Sequence, residues 1–339
     1  MNKRSPQDYS LYVGIDVSLK SLSVAWGCKA EAIGRAQSFA QTRAGFGSLL
    51  KALKATGYAP QVVVVVLEAT STYWMQVAVV LHEAGYQVRV VNPKQAHHFM
   101  QAEMQQTKTD AIDAQLLARM AATHALAAWQ PPSEVWEAVS QRLVERDQVV
   151  KLQQMVRNEL HALQQRVCPE PAVVVRHRQM LDDLRKRLAQ IETEITALLE
   201  HSEWAHLMQC LRQVKGIGLL SAAWLLVVTN GFTTCESAEQ LASYLGLVPH
   251  RRDSGRHKGH KPLGTTGHAR ARRVLYQGSV SAVRFNPPIA TYYQSLRQRG
   301  KSVKVARCAA TRKLVHQVFA IVRQQVRLSN STPLMAFAA

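Results

Sequence analysis

The sequence predicts an α/β domain built on a mixed sheet, followed by a helical coiled-coil hairpin and a mainly α-helical basic domain. Three observations lead to this prediction. Strand and helix patterns alternate as far as Pro131 and Pro132, a strict repeat of leucine and isoleucine occupies the middle of the chain, and nearly all of the excess positive charge follows it. For a chain of 339 residues we therefore expect three domains, at residues 1–130, 131–204 and 205–339.

The first domain begins with three strand patterns, at residues 11–16, 21–28 and 32–39. Helix and strand patterns then alternate, at residues 46–55, 61–67, 73–83, 87–91 and 109–123. The stretch QVVVVVL is short and β-branched and leads directly into Glu68, so it predicts a central strand that is buried on both faces. Three strands followed by this alternation predict a mixed sheet with helices packed on it.

Apolar residues in the second domain recur at alternating steps of three and four, at Leu181, Leu184, Leu188, Ile191, Ile195 and Leu198. Residues 149–167 also carry apolar side chains at helical intervals, and Pro169 and Pro171 separate the two stretches. This pattern predicts two long helices that form an antiparallel hairpin or a coiled coil between subunits. We expect a homo-oligomer, either a dimer or a tetramer.

The positive charge is concentrated in the third domain. Residues 205–339 contain 20 lysines and arginines against three acidic residues, whereas residues 1–204 contain 22 against 20. Such asymmetry is typical of a domain that binds nucleic acid. The simpler alternative is a charge that only maintains solubility, but that role does not require so few acids.

Composition argues against several other classes of protein. The longest apolar runs, residues 62–67 and 219–228, are shorter than the roughly 20 residues that span a bilayer. The N-terminus has no apolar stretch behind its charges, so we expect no signal peptide, a cytoplasmic location and no membrane partner. The five cysteines are scattered without a C-x-x-C pair, which argues against a disulfide framework and a zinc ribbon.

Four acidic residues of the first domain occupy positions where a metal site can form. Asp16 and Glu68 end predicted strands, while Asp110 and Asp113 lie three apart at the start of a predicted helix and share one of its faces. Hard carboxylate oxygens suit Mg²⁺ or Mn²⁺, and two such ions promote phosphodiester transfer. Each acid also has a structural alternative: Asp16 as a turn cap, for example, or Asp110 as a charge favoured at a helix N-terminus.

These acids lie in the segments VGIDVS, VVLEATSTYW and KTDAIDA. The set resembles the DEDD acids of the RuvC-like transposases of the insertion-sequence 110 family, and the resemblance extends over almost the whole chain. It implies a RuvC/RNase H-like fold for the first domain. It also implies that Asp16, Glu68, Asp110 and Asp113 bind the metal and are catalytic.

The third domain opens with the segment VKGIGLL, which resembles a helix-hairpin-helix element. In this interpretation Lys215, Gly216 and Gly218 contact a phosphate, because glycines allow backbone N–H groups to approach it at a helix N-terminus. The alternative is a tight turn between two core helices.

The segment GLVPHRRDSGRHKGH resembles a second hallmark of the same family. This resemblance implies that Ser254 is a nucleophile. The following Gly255 permits a tight turn that presents the hydroxyl, although an ordinary loop serine is the alternative. Basic residues around it can neutralise a phosphate, namely Arg251, Arg252, Arg256 and Lys258. The hydroxyl requires activation by a base or a metal.

One departure from the family is the Thr265-Thr266 pair before Gly267 and His268, where members often carry Ser-Lys; Lys261 is the candidate to replace that lysine. The segment after it is rich in arginine, and we expect His268, Arg270, Arg272 and Arg273 to bind nucleic acid. Further basic residues follow between tyrosines, as on a surface for single-stranded or structured nucleic acid. Plain helix amphipathicity with tyrosines in the core is the alternative.

Taken with the resemblance, the sequence predicts a DNA transposase that cuts and rejoins strands through a Holliday-junction-like intermediate. The resemblance further implies a structured non-coding RNA that bridges donor and target DNA. One alternative is a RuvC-like junction endonuclease in which water attacks and Ser254 is idle. The other is a nucleic-acid-binding protein that has lost its catalytic activity.

Overall fold

The computed structural model of the chain describes residues 8–104, 109–249, 253–254, 257–258 and 267–331. The chain divides into two compact units, residues 1–131 and 132–339. The boundary between them falls between Pro131 and Pro132. The three-domain division expected from the sequence stays a prediction.

The first unit contains a five-stranded mixed sheet, with strands β1 (Leu11–Val17), β2 (Ser21–Gly27), β3 (Gln37–Ala40), β4 (Val63–Glu68) and β5 (Gln87–Val91). Their order is β3-β2-β1-β4-β5, with β1 antiparallel to β2 and parallel to β4. The predicted mixed sheet with a central valine-rich strand is therefore confirmed. β3 begins later than residue 32, because Ala30–Ala32 forms a 3₁₀ turn.

Four helices cover this sheet: α1 (Arg43–Ala55), α2 (Trp74–Glu83), α3 (Pro93–Ala102) and α4 (Asp110–Thr123). The sequence interpretation had no helix at α3. Its signal was nevertheless present, because Asn92 caps the helix by accepting a hydrogen bond from the Lys94 N–H at 2.8 Å, and Pro93 occupies the first helical position.

Alternation along the strands separates two apolar faces. Ile15 and Leu67 belong to a core with residues of α1 and α2, whereas Tyr12 and Val66 belong to a second core with Leu117 of α4. Asp16 and Glu68 each follow a residue of the first face, so the pleat places both of them on the side of the sheet that α4 covers.

α4 lies unusually close to β1, and Gly14 makes this approach possible. A Cβ atom on Gly14 would lie 2.1 Å from the Ala114 carbonyl oxygen and 2.3 Å from the Ala118 nitrogen. Both neighbours are backbone atoms, which have no rotamer to change. Every residue with a side chain would therefore push the helix away from the strand.

The second unit begins with two long helices, α5 (Glu134–Gln164) and α6 (Pro171–Glu200). They are antiparallel, since ion pairs join Arg142 to Glu194 at 2.8 Å and Arg146 to Glu192 at 2.7 Å. The predicted seam lies within this hairpin, with Leu181, Ile191 and Ile195 buried and Leu184, Leu188 and Leu198 partly buried. The hairpin is thus confirmed, and α5 starts well before residue 149.

The rest of the second unit is mainly helical, with α7 (Ala205–Gln213), α8 (Leu219–Thr229), α9 (Ala238–Tyr244), the short strands β6 (Asp253–Ser254) and β7 (His257–Lys258), α10 (Ala269–Phe285), α11 (Pro287–Gln298) and α12 (Val303–Ser331). α8 is buried from Ser221 to Thr229, in one core with Ile195 of the hairpin and Leu314 of α12. Among the described helices, none is long and apolar enough to cross a membrane.

Replacing Gly14 with alanine tests the close packing of α4 on β1. We expect Gly14→Ala to lower the free energy of unfolding by about 1–3 kcal/mol or more, because backbone atoms must move apart. Gly47→Ala is the matched control: Gly47 lies inside α1 with nothing within 4 Å of the added Cβ, so alanine should stabilise by about 0.5–1 kcal/mol. Urea denaturation followed by circular dichroism measures both. Parental stability in Gly14→Ala would contradict the close approach.

Candidate active site

Two carboxylates lie side by side at the ends of the central strands. β1 and β4 are parallel, and Ile15 is paired with Leu67, so the next residues, Asp16 and Glu68, occupy neighbouring positions. Both side chains are partly exposed. The carboxyl ends of adjacent parallel strands are a common location for ligand sites, because the loops that follow leave room there.

α4 brings the other two carboxylates to the same face of the sheet. Its N-cap is Thr109, whose hydroxyl accepts a hydrogen bond from the Ile112 N–H at 3.3 Å, and this fixes Asp110 and Asp113 in the first turn. Asp113 precedes Ala114, which is the residue in contact with Gly14. Asp113 is only 7% exposed, whereas Asp110 is exposed.

The electrostatics of Asp16 show that the four acids interact. Burial and, in decreasing order of importance, the negative charges of Asp110, Asp113 and Glu68 together raise the pKa of Asp16 to about 6. Three of the predicted acids therefore act electrostatically on the fourth, and their joint role at a metal site stays a prediction. Within the described part of the chain, however, no three acidic, histidine or cysteine side chains form a ready-made metal cluster.

The chemistry of these side chains fits a divalent cation. Four carboxylates supply hard oxygen ligands, and their mutual repulsion is the kind of strain that a cation between them relieves. At neutral pH, Asp16 must carry its charge against that repulsion. The fit rests on the ligand type and the electrostatic coupling of these four residues.

Thr70 is a residue of this site that the sequence interpretation missed. Its hydroxyl donates a hydrogen bond to Glu68 Oε1 at 2.5 Å. The loop that carries it continues through Ser71, which has a left-handed φ of 59° and whose carbonyl accepts from Trp74 Nε1 at 3.2 Å. The only signal in the sequence was a threonine two positions after a strand-ending acid.

In the second unit, the turn at Lys215, Gly216 and Gly218 connects α7 to α8. Gly216 has a φ of +102°, and a Cβ there would lie 2.5 Å from Ala282 Cβ. Packing against α10 therefore explains why residue 216 is a glycine, which agrees with the alternative of a tight turn between two core helices. Gly218 has nothing within 4 Å of an added Cβ, and it and Lys215 are exposed. Their phosphate contact stays a prediction.

Ser254 is the last residue of β6, and its partner in the antiparallel pair is His257 of β7. Two residues separate the strands, and Lys258 is paired with Asp253. This pairing was not predicted. The predicted contacts at Arg251, Arg252, Arg256 and Lys261 lie outside the described residues.

The arginines of α10 differ in what they contact. Arg270 Nε lies 3.6 Å from Asp147 Oδ2 of α5, and Arg272 donates to the Leu245 carbonyl at 3.1 Å. Only Arg273 of the three is fully exposed. Arg270 and Arg272 therefore have structural contacts in addition to the nucleic-acid role predicted for them.

His268 caps the start of α10. Its Nδ1 accepts a hydrogen bond from the Ala271 N–H at 3.2 Å, and its ring lies 5.1 Å from the Trp224 ring. Burial, followed by the charge of Arg270, lowers the pKa of His268. A neutral imidazole with an accepting Nδ1 suits a helix cap, and a phosphate contact by His268 stays a prediction.

Two family models match the chain. The model for DEDD transposases of IS110, described as "Transposase", matches residues 13–169, and the model described as "Transposase IS116/IS110/IS902 family" matches residues 208–294. Together they cover well over half of the sequence. The first match contains all four acids, and the second contains both short strands, β6 and β7.

Similar proteins are known in several bacteria. The pilin gene-inverting protein of Moraxella bovis is 28% identical over 325 residues, which are 92% of this chain and 96% of that protein. The protein of the same name from Moraxella lacunata is 27% identical with the same coverage. The uncharacterized 43.6 kDa protein of insertion element IS110 from Streptomyces coelicolor is 35% identical over 136 residues, 39% of this chain and 32% of that protein.

The raised pKa of Asp16 predicts a pH-dependent stability. The folded state holds this proton more tightly than the unfolded state, whose pKa is near 3.8, so Asp16 lowers the free energy of unfolding as the pH rises from about 4 to 6. Asp16→Asn removes this penalty. In EDTA the variant should exceed the parent by on the order of 1–3 kcal/mol at pH 7.5 and match it near pH 4.

Urea titrations across this pH range measure the difference. The control is Asp183→Asn, whose side chain is 77% exposed on α6, and which should keep the parental pH profile. If the free energy of unfolding of Asp16→Asn depended on pH as that of the parent does, the charge of Asp16 would not be destabilised in the folded state.

Proposed function

The chain belongs to the IS110 family of transposases, enzymes that bind, cut and rejoin DNA, and from this premise we propose that it recombines DNA with a DEDD metal site and a serine nucleophile. The observation that carries the proposal is that Asp110, Asp113 and Glu68 all act electrostatically on Asp16, on the face of the sheet that α4 covers. Their charges act on Asp16, so the fold gathers negative charge there at a cost in stability.

In this proposal Asp16, Glu68, Asp110 and Asp113 hold the metal. DEDD transposases generally use divalent metal ions, and Mg²⁺ or Mn²⁺ suits carboxylate ligands. When bound, the ion supplies charge stabilisation to a phosphodiester under attack. The residues of the chain have separate tasks: Gly14 seats the helix that carries two acids, and Thr70 orients the carboxylate of Glu68.

Ser254 is the proposed nucleophile. Its hydroxyl oxygen attacks phosphorus, a serine–phosphate ester forms, the phosphodiester bond to the leaving sugar oxygen breaks, and that oxygen takes up a proton. A later attack by a DNA hydroxyl reverses the linkage, so strands exchange through a Holliday-junction-like intermediate. The resemblance of its surrounding segment to the family supports this role, together with its position at the end of β6, where two residues separate it from β7.

A structured non-coding RNA and a homo-oligomer, either a dimer or a tetramer, belong to the same proposal. The family resemblance supports the RNA, and the basic C-terminal part of the chain suits it. The junction endonuclease that uses water is the alternative mechanism. That mechanism uses the same four acids but forms no serine–phosphate ester.

Site-specific inversion of a DNA segment is a second candidate function. The two Moraxella relatives are named for inverting a pilin gene, and they align with 92% of this chain. Inversion and transposition use the same cutting and rejoining steps and differ in the arrangement of the DNA ends. A plasmid with two inverted recombination sites distinguishes them, because inversion flips the segment while transposition moves it elsewhere.

The metal site is tested by removing one ligand. We expect Asp110→Asn to lower Mg²⁺-dependent strand cleavage by roughly a thousandfold or more, since a metal ligand supports several kcal/mol of transition-state stabilisation. Cleavage of a plasmid that carries the element ends measures this, with Asp183→Asn as the control. DNA affinity should stay within about threefold of the parent, because the other contacts remain. Parental cleavage by Asp110→Asn would rule out the proposed site.

The serine is tested by Ser254→Ala, with Ser243→Ala on the exposed face of α9 as the control. We expect Ser254→Ala to bind DNA normally and to form neither recombinant product nor covalent protein–DNA adduct, because the attacking oxygen is gone. Mass spectrometry of trapped parental complexes should locate the adduct on Ser254. Cleavage by Ser254→Ala at the parental rate, without an adduct, would support water as the nucleophile instead.

A further inference from the structure

We propose that the basic turn, defined as residues 297–304 from the end of α11 to the start of α12, contacts the phosphate backbone of duplex DNA. This inference rests on the proposed DNA-recombining function and adds to it a surface outside the acidic site and the serine segment. It assigns this contact to the turn, whereas the sequence alone favours the arginines of α10 as the nucleic-acid-binding residues.

The charge of the basic turn is dense and uncompensated. Its sequence RQRGKSVK holds four cations in eight residues, and no acidic residue occurs after Asp253. The side chains of Arg297, Arg299, Lys301 and Lys304 are all exposed. Like charges held together in water attract a polyanion, because binding releases the counterions that each would otherwise gather.

The turn has a defined backbone conformation. Gly300 has a φ of +75°, its N–H donates to the Arg297 carbonyl at 3.0 Å, and the Lys301 N–H donates to the Leu296 carbonyl at 3.1 Å. The Arg297 guanidinium closes the loop by donating to the Lys301 carbonyl. Its conformation is therefore set before any ligand binds, which lowers the entropy cost of binding.

Three of the four cationic side chains have no partner among the described residues. The Arg297 side chain stabilises the turn, whereas the side chains of Arg299, Lys301 and Lys304 make no hydrogen bond or ion pair there. Burial raises the pKa of Cys308, and the charges of Lys304 of the turn and Arg272 of α10 partly offset that rise.

Four other cations of this unit, by contrast, make contacts within it. Arg270 pairs with Asp147, and Arg272 holds the Leu245 carbonyl. Arg307 lies over the Tyr276 ring at 5.6 Å, and Lys313 lies over a second tyrosine ring at 4.6 Å. The exposed cations of the basic turn are therefore better placed for an external phosphate.

The composition of the turn favours the backbone of a duplex over unpaired bases. Residues 297–304 include no aromatic side chain, so unpaired bases find no ring there on which to stack. Lysine and arginine contacts to phosphates carry no sequence information. The turn should therefore contribute equally to the binding of different duplex sequences.

The test compares two triple variants of the full chain. In the turn variant, Arg299→Ala, Lys301→Ala and Lys304→Ala are combined. The control combines Arg43→Ala, Lys51→Ala and Lys54→Ala on α1, which are also exposed and remove the same residue types and the same charge. Fluorescence anisotropy of labelled duplexes of unrelated sequence measures affinity across a series of salt concentrations.

We expect the turn variant to lose affinity on the order of tenfold or more at low salt, with a salt dependence that is shallower by roughly 2 to 3 in the log–log slope. The control should bind like the parent. Parental affinity and slope in the turn variant, together with a loss in Arg273→Ala, would overturn the inference and leave the proposed function standing. Parental duplex binding with a loss for structured RNA would overturn it in favour of an RNA surface. Absence of duplex binding by the parent would overturn both proposals.

Discussion

At Gly14 a helix backbone rests directly on a strand backbone, with no side chain between them. This contact fixes the height of α4 above the sheet, and with it the distance from Asp113 to the end of β1. The pleat of β1 and β4 turns Asp16 and Glu68 toward the same helix, because each follows a residue of the opposite face. The absence of a side chain at Gly14 therefore allows acids of β1, β4 and α4 to lie on the same side of the sheet.

Placing these acids near one another lowers the stability of the fold through electrostatic repulsion, and no contact among the described residues requires that placement. Asp16 sits below two acids of α4 and beside Glu68, and its pKa rises to about 6 mainly through burial. A protein selected only for stability would place an uncharged side chain there. In a family that cuts and rejoins DNA, the cost is understandable as the charge needed to hold a divalent cation near a phosphodiester.

The sequence predicts most of the sheet because the valines of β4 and the strand-ending acids produce strong local patterns. α3 was missed although Asn92 and Pro93 mark its start, since an Asn-Pro pair also ends strands. The acids were found by position, but their coupling depends on Gly14, whose role requires knowing that Ala114 lies above it. Thr70 illustrates the same limit: a hydroxyl two residues from Glu68 is ordinary in sequence, and only geometry shows its hydrogen bond.

Charge in the second unit shows why composition locates a function only coarsely. An arginine counts equally in a sequence whether it pairs with Asp147, as Arg270 does, or is exposed without an ion pair to any described residue, as Arg299 is. Glycines are equally ambiguous, since Gly216 is required by its contact with α10, whereas no described neighbour restricts Gly218. A residue whose type is already explained by packing needs no ligand to account for it. Candidates for binding are therefore best sought among residues whose charge or conformation the fold itself leaves unused.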